Sequence, residues 1–379
     1  MALGIIAFIV AFLLLITIHE AGHFIAAKSA GVAVRTFSIG MGPKIASFTP
    51  KNTPNPTTYQ LAALPIGGYC GIAGMTNLDD ADDVDENARF DHAPLHTRVR
   101  IMLAGIVINI VAGLLLIAAL AATTVFPDVR ADARPVIAEV QTDSPADKAG
   151  LADSLDATIT AVGDTPVTRM SDVSQALQHY PEKTVALTLD DDGQTRTVDV
   201  TPTDAGTIGV MMRTREPAAR EATSAADAMT LASTYTVSLV DQTVRSIWAL
   251  PSMVAPAVKA IAGTEERKSD SPMSIVGASR ISGEIVKMNA WSSFALMMAN
   301  FSIFLGLFNL IPIPPLDGGH VMINLIGAAN KRRKGTPDAS GIGVDYAKFT
   351  WITAVAALLL LGFGLLILVA DIVAPVTLQ

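Results

Sequence analysis

Four long runs free of lysine and arginine, at residues 2–27, 101–126, 294–313 and 351–370, constrain this chain more than any other feature. Each reaches the roughly 18–20 apolar residues that an α-helix needs to cross the hydrocarbon core of a bilayer. A soluble core helix of that length would still carry a charged outer face. The whole chain agrees: half of its 379 residues are apolar and 16% are charged, against about 25% charged in an average soluble protein. It reads as a polytopic α-helical membrane protein with four transmembrane helices. The first run has no basic leader and no small-residue cleavage site ahead of His-Glu-Ala-Gly-His at 19–23, so it reads as a retained span rather than a signal peptide. The single cysteine, Cys70, excludes an internal disulfide and a cysteine-rich metal site. A net charge of −8 argues against a nucleic-acid role.

Basic residues near span ends favour the cytoplasm, because cationic segments resist translocation. Lys28, Arg35 and Lys44 follow the first run, Arg98 and Arg100 precede the second, and Lys331, Arg332, Arg333 and Lys334 separate the last two. Residues 128–216 carry 16 acidic and 8 basic side chains instead. This bias predicts both termini outside, loops 28–100 and 321–348 in the cytoplasm, and 127–290 outside a plasma membrane crossed several times.

The divisions that follow are a first transmembrane helix at 1–28, a cytoplasmic loop at 29–100, a second span at 101–126 and an outer domain at 127–216. A helical region at 217–290, a third span at 291–320, a basic cytoplasmic loop at 321–348 and a fourth span at 349–373 complete the chain. In the first loop, short strands at 32–39, 45–48 and 59–64 are broken by Gly40, Gly42, Pro43, Pro50 and Gly67-Gly68. Such a hairpin either dips toward the membrane, with its backbone polar groups protected by protein or a wet cavity, or stands in the cytoplasm. Residues 77–91 read as a solvated acidic loop. The outer domain has an α/β order: strand 135–140, helix 144–149, strand 158–162, helix 171–179, and a hairpin of 184–189 with 196–200. Residues 226–262 suit amphipathic helices at the membrane surface, interrupted by Pro251 and Pro256, or a packed soluble helical pair.

His19-Glu20-Ala21-Gly22-His23 is an HExxH pattern. On a helix, positions i and i+4 share a face, so both imidazoles can reach one ion. Zinc suits this donor type, and a catalytic zinc site usually has three protein ligands plus a water, which leaves Glu20 to take the water's proton. Ionisable groups at mid-bilayer cost roughly 2.5–3.5 kcal/mol each on insertion scales, so a cluster of them inside a span serves a site. The third ligand is expected to be Asp317, where an uncharged span runs into Pro312-Ile313-Pro314-Pro315-Leu316 at the same cytoplasmic level as His23. Its competing role is that of N-cap for a helix starting near Gly318. A helical substrate must unwind before hydrolysis, and Pro312, Pro314 and Pro315 stop helix formation and leave backbone groups free for an extended peptide. Asn309 is placed to bond that peptide or a developing oxyanion, or else to tie two spans together; Asn109 shares this ambiguity, with the tie favoured. His92, His96, His179 and His320 are not expected among the ligands.

These residues together resemble the site-2 protease family, and within it the branch of the bacterial regulator of sigma-E protease. The likeness rests on His19–His23, on Phe37-Ser38-Ile39-Gly40-Met41-Gly42-Pro43-Lys44, and on Leu64-Pro65-Ile66-Gly67-Gly68-Tyr69. It extends to Met102-Leu103-Ala104-Gly105 with Asn109, to Ser271–Gly277 ahead of the third span, and to Asn309–Gly318. The resemblance implies an intramembrane zinc metalloprotease with Zn2+ on His19, His23 and Asp317, catalytic Glu20, and Asn309, Pro312 and Pro314 contacting substrate. It implies a membrane-associated β-hairpin over 33–75 that holds substrate as an added strand, and one extracytoplasmic PDZ-like domain. Its substrates would be single-span membrane proteins such as anti-sigma factors, cut after another protease has removed their outer part, or remnant signal peptides. Two departures stand out: the PDZ pattern Gly-Leu…Gly-Asp is Gly150-Leu151 followed by Leu155-Asp156, and Ile106 replaces a proline common in the second span. The competing class is a catalytically silent membrane metal-binding scaffold. A metal transporter would spread polar residues along several spans, whereas here they gather at one depth.

Overall fold

The computed structural model describes residues 2–51, 53, 55–75, 84–129, 134–168, 170–191, 193–214, 219–264, 267, 271–336, 341–344 and 347–375. The chain divides into two compact units, 1–120 with 236–379, and 121–235. Among the described residues, four helices are long and apolar enough to cross a membrane, at Ala2–Ser29, Leu95–Thr123, Trp291–Asn309 and Phe349–Val373.

Helix α1 (Ala2–Ser29) is the first of these, and strands β1 (Val34–Phe48) and β2 (Thr58–Ile72) follow it. The two strands pair antiparallel, but the register breaks between Ile39 and Lys44. Gly40 and Gly42 both hold φ above +80°, a backbone region that side chains disfavour, and there β1 folds over. Residues 36–39 consequently pair with 68–71 on one side and with 58–61 on the other, while 46–48 pair with 59–61. The hairpin is thus a curled sheet of four short runs, ordered 44–48, 58–62, 34–39 and 68–72. Three of these runs follow from sequence pattern alone; the fourth, 68–72, is too rich in glycine for strand propensity to signal it. Its outer edge pairs with no strand among the described residues.

Residues 77–83 of the expected acidic loop lie outside the described residues. The rest of that loop is solvated only in part: Asp85, Glu86 and Asn87 are exposed, but Phe90 is fully buried with Val34, Ile72 and Ile101. The Phe90 N–H donates to the Ala73 carbonyl at 2.9 Å and the Ala33 N–H to that of Ala88 at 2.8 Å. One large apolar side chain outweighs its acidic neighbours, because burying a phenylalanine yields about 1.5–3 kcal/mol. Helix α2 (Leu95–Thr123) then begins ahead of the apolar run, with His96, Arg98 and Arg100 in its opening turns.

In the unit 121–235, β3 (Phe126–Pro127) leads to β4 (Pro135–Val140), α3 (Pro145–Lys148), β5 (Thr158–Val162), β6 (Thr165–Pro166) and α4 (Met170–Leu177). The hairpin β7 (Val185–Asp191) and β8 (Gln194–Val200) follows, then β9 (Val210–Thr214) and β10 (Ala219–Arg220). Strands run in the order β8-β7-β5-β4-β9, with β6 on β5. β7 buries alternate residues, Val185, Leu187 and Leu189, as the period of two in a strand requires. They join Ile137, Ile159, Leu151 and Val173 in one fully enclosed core. β9, which the sequence pattern does not signal, closes the sheet against β4.

Helix α5 (Ala225–Ala249) and α6 (Val254–Ile261), separated by a turn at Leu250–Met253 containing Pro251, occupy the expected amphipathic region. Next come α7 (Ile275–Lys287), capped by Ser274, and α8 (Trp291–Asn309). Phe8 of α1 packs with Ile281 and Ile285 of α7 and Phe294 and Met298 of α8. After a turn at 310–316, α9 (Asp317–Arg333) begins, so the stretch read as a basic loop from 321 is helical as far as Arg333. α10 (Ala347–Val373) completes the chain's elements, its Asp371 buried and paired with Arg267.

Candidate metal centre

α1 carries His19 and His23 one helical turn apart, so both imidazoles leave the same face, each with 5% of its surface exposed. Their rings stand 4.8 Å apart at 78°. Asp317 enters from the first position of α9. Leu316 is the N-cap there, so the capping role that competed for Asp317 is not the one it takes. Its Oδ2 lies 3.0 Å from His19 Nε2 and 3.2 Å from His23 Nε2, and the two nitrogens are 3.2 Å apart. Residues separated by about 300 positions in sequence thus bring three donor atoms to one point.

Those distances suit a metal ion better than a hydrogen-bonded cluster. His23 Nδ1 lies 2.8 Å from the Ile101 carbonyl, which can only accept, so the ring's proton sits on Nδ1. In the neutral ring that leaves a lone pair on Nε2 facing a carboxylate oxygen: two acceptors pointing at one another, an arrangement that a shared cation satisfies. A tetrahedral ion with bonds of about 2.0–2.1 Å sets its ligands about 3.3–3.4 Å apart. The observed triangle is within a few tenths of an ångström of that. His19, His23 and Asp317 form the one such group of three or more potential ligands among the described residues.

Space for the centre comes from α2. A Cβ on Gly105 would fall on His23 Nε2 and come within 2.8 Å of His19 Cε1. Glycine is what allows the two helices to meet over the imidazoles. Glu20, beside the pair on α1, lies against the curled sheet and within electrostatic reach of His19, His23 and Asp317. The Cys70 backbone N–H donates to its carboxylate, and Gly68 lies against its side chain. The carboxylate is therefore held by the 68–72 run and lies outside the three-ligand group.

The other site residues are more scattered. Asn309 ends α8 and its Nδ2 donates to its own helix at the Leu305 carbonyl, 2.9 Å away. Pro312 and Pro314 lie in the turn that delivers Asp317. His320 is one turn past Asp317, half-buried and outside the ligand group. His92 sits near Asp91, His96 is exposed at the start of α2, and His179 bonds the Gln175 carbonyl within the other unit. The residue that sequence reasoning undervalued is Asn109, which is fully buried with its amide 3.3 Å from His19 Nδ1. The signal was present: Gly105 and Asn109 are i and i+4 on α2, so the helix face that makes room for the imidazoles also presents the amide to them.

A candidate metal centre of this kind, with both histidines on a membrane-length helix, points to a class, the membrane-embedded metalloproteases. Comparison with known proteins agrees. Peptidase family M50 matches residues 7–348, and the chain belongs to it. Zinc metalloprotease Rip1 of Mycolicibacterium smegmatis is 30% identical over 99% of this chain and 98% of its own length. Rip1 of Mycobacterium tuberculosis H37Rv is 28% identical over the same shares. The chain is accordingly a zinc-dependent metalloprotease of the site-2 type, a multi-pass membrane protein acting on membrane-protein substrates.

Proposed function

We propose that His19, His23 and Asp317 hold the zinc and that Glu20 is the general base of an intramembrane endopeptidase. The convergence of the three donor atoms within 3.0–3.2 Å carries this reading. Bound there, zinc lowers the pKa of its water and polarises the scissile carbonyl. Glu20, oriented by the Cys70 N–H, takes the water's proton and passes it to the leaving amine.

The substrate is read as a single-span membrane protein, such as an anti-sigma factor or a remnant signal peptide, after another protease has trimmed its outer part. An unwound segment adds to the sheet at the open edge of 68–72, backbone to backbone, which brings its peptide bonds to Glu20. Pro312 and Pro314, in the turn between α8 and α9, and Asn309 at the end of α8 are read as contacts for the unwound segment. The exposed Met41, Ile45, Phe48, Leu61 and Leu64 favour a membrane-associated sheet over a cytoplasmic one, because a patch of that kind needs an apolar surround. Residues 127–216 are read as a single PDZ-like domain on the extracytoplasmic side, with the metal centre toward the cytoplasm, as the lysine and arginine distribution indicates.

Co-expression with tagged anti-sigma factors truncated on their outer side tests this. Glu20→Gln should lower cleavage by about 10²–10⁴-fold while the purified protein keeps its zinc. A silent scaffold would show no cleavage to lose, and a Glu20→Gln protein that still cuts would remove Glu20 from the mechanism.

A further inference from the structure

The Asn109 side chain is the most deeply buried polar group beside the ligands, and half of it is unaccounted for. Its Nδ2 is set toward His19 Nδ1 at 3.3 Å, while its Oδ1 is buried with no hydrogen-bond partner among the described residues. A buried amide oxygen left unpaired loses its hydration with nothing in return. The two ends of an amide are nearly indistinguishable in shape, so their assignment rests on the hydrogen bonds each orientation makes. With Nδ2 toward the ring, the amide donates to Nδ1, which forces the ring's proton onto Nε2 and aims it at the ligand point. Turning the amide by 180° pairs the oxygen and frees the ligand nitrogen, with the Nδ2 donors taking the place where Oδ1 stood. Oδ1 then accepts from Nδ1–H, the orphan is satisfied, and the Nε2 lone pair faces Asp317 and His23.

We propose that Asn109 is the positioning residue for His19: its side-chain oxygen holds the proton on Nδ1 and so keeps Nε2 free to bind metal. The inference rests on the ligand set proposed above. It makes the two histidines symmetric, since His23 has its own Nδ1 acceptor in the Ile101 carbonyl at 2.8 Å. Each first-span ligand is then oriented by an acceptor from the second span, one from backbone and one from a side chain. Metal-binding histidines usually have such a partner on their second nitrogen, and losing it typically costs 10–100-fold in metal affinity. Asn109 is itself anchored from the third span, because Ser302 Oγ donates to the Asn109 backbone carbonyl at 2.8 Å. That bond leaves the side-chain amide free for His19, so the two roles can be separated.

The test is zinc affinity of the purified full-length protein in detergent, measured by competition with a chromogenic chelator. Asn109→Leu, similar in volume but without an acceptor, should bind zinc about 10–100-fold more weakly. Asn109→Asp, which keeps an oxygen facing Nδ1–H, should bind within a few-fold of the parent. Equal losses in the Leu and Asp variants would mean that Asn109 only packs, and parental affinity in the Leu variant would overturn the proposal outright. His19→Ala separates this inference from the reading it rests on: if that variant keeps its zinc, the ligand assignment has failed rather than the role of Asn109.

Discussion

The two units of this molecule use burial in opposite senses. In the unit 121–235, Ile137, Ile159, Leu187 and Leu189 are fully enclosed and the ion pairs lie outside, as in Arg213 with Asp156. In the helical unit the most exposed residues include Leu358, Leu359, Leu361 and Trp351 of α10, while His19, His23, Asn109, Ser302 and Asn324 are buried. The first pattern is set by water, which drives apolar surface inward. The second is set by lipid, which offers no hydrogen bonds and so drives polar groups to find one another. A metal centre in the helical unit is the extreme case of that pressure.

The sharpest way to break the comparison is to crowd the polar cluster. Gly105→Val should abolish both zinc retention and cleavage with helix content unchanged, since even a Cβ there falls on His23 Nε2. Metal analysis with far-ultraviolet circular dichroism would read both, and a zinc-replete variant would show that the helices part freely. In the other unit the damage should be ordinary core damage. Leu187→Ala should cost about 2–5 kcal/mol, seen as faster hydrogen exchange in β5 and β7 of the full chain, with zinc content unaltered. Protection in β5 and β7 equal to that of the parent would contradict a core centred on Leu187.

The smallest effect belongs to the surface of that unit. Arg220 binds Asp227 at 2.6 Å and Asp128 at 2.9 Å. Its guanidinium, helped by the Thr223 N–H, holds the Asp227 carboxyl well below the usual carboxylate range. A depressed carboxylate pKa contributes stability that is complete above the unfolded value of about 3.9 and fades as pH falls through the folded one. Thermal unfolding of the parent should therefore drop more steeply below about pH 4 than that of Asp227→Asn, with the two alike in slope near neutrality. Parallel curves throughout would show that the clamp contributes nothing.

Part of this architecture is legible in the chain alone. The spans, the HExxH pair, Asp317 and the alternation of strands and helices over 135–200 are local or compositional signals, and each is carried by its own segment. Phe90 is hidden by its acidic surroundings, and α9 by the lysines and arginines at its end, where cations favour a helix C-terminus.

The amino-acid sequence by itself determined the solvent each segment requires and the chemistry its side chains can perform, because hydropathy, period and donor type are properties of neighbours in the chain. Only the tertiary structure decided which groups meet. It folded residues 36–39 between two runs of β2, set the 68–72 edge against Glu20, and put Asn109 over an imidazole 90 positions away. The physical reason is range: a strand partner or a hydrogen bond across helices depends on packing that no short window of residues contains.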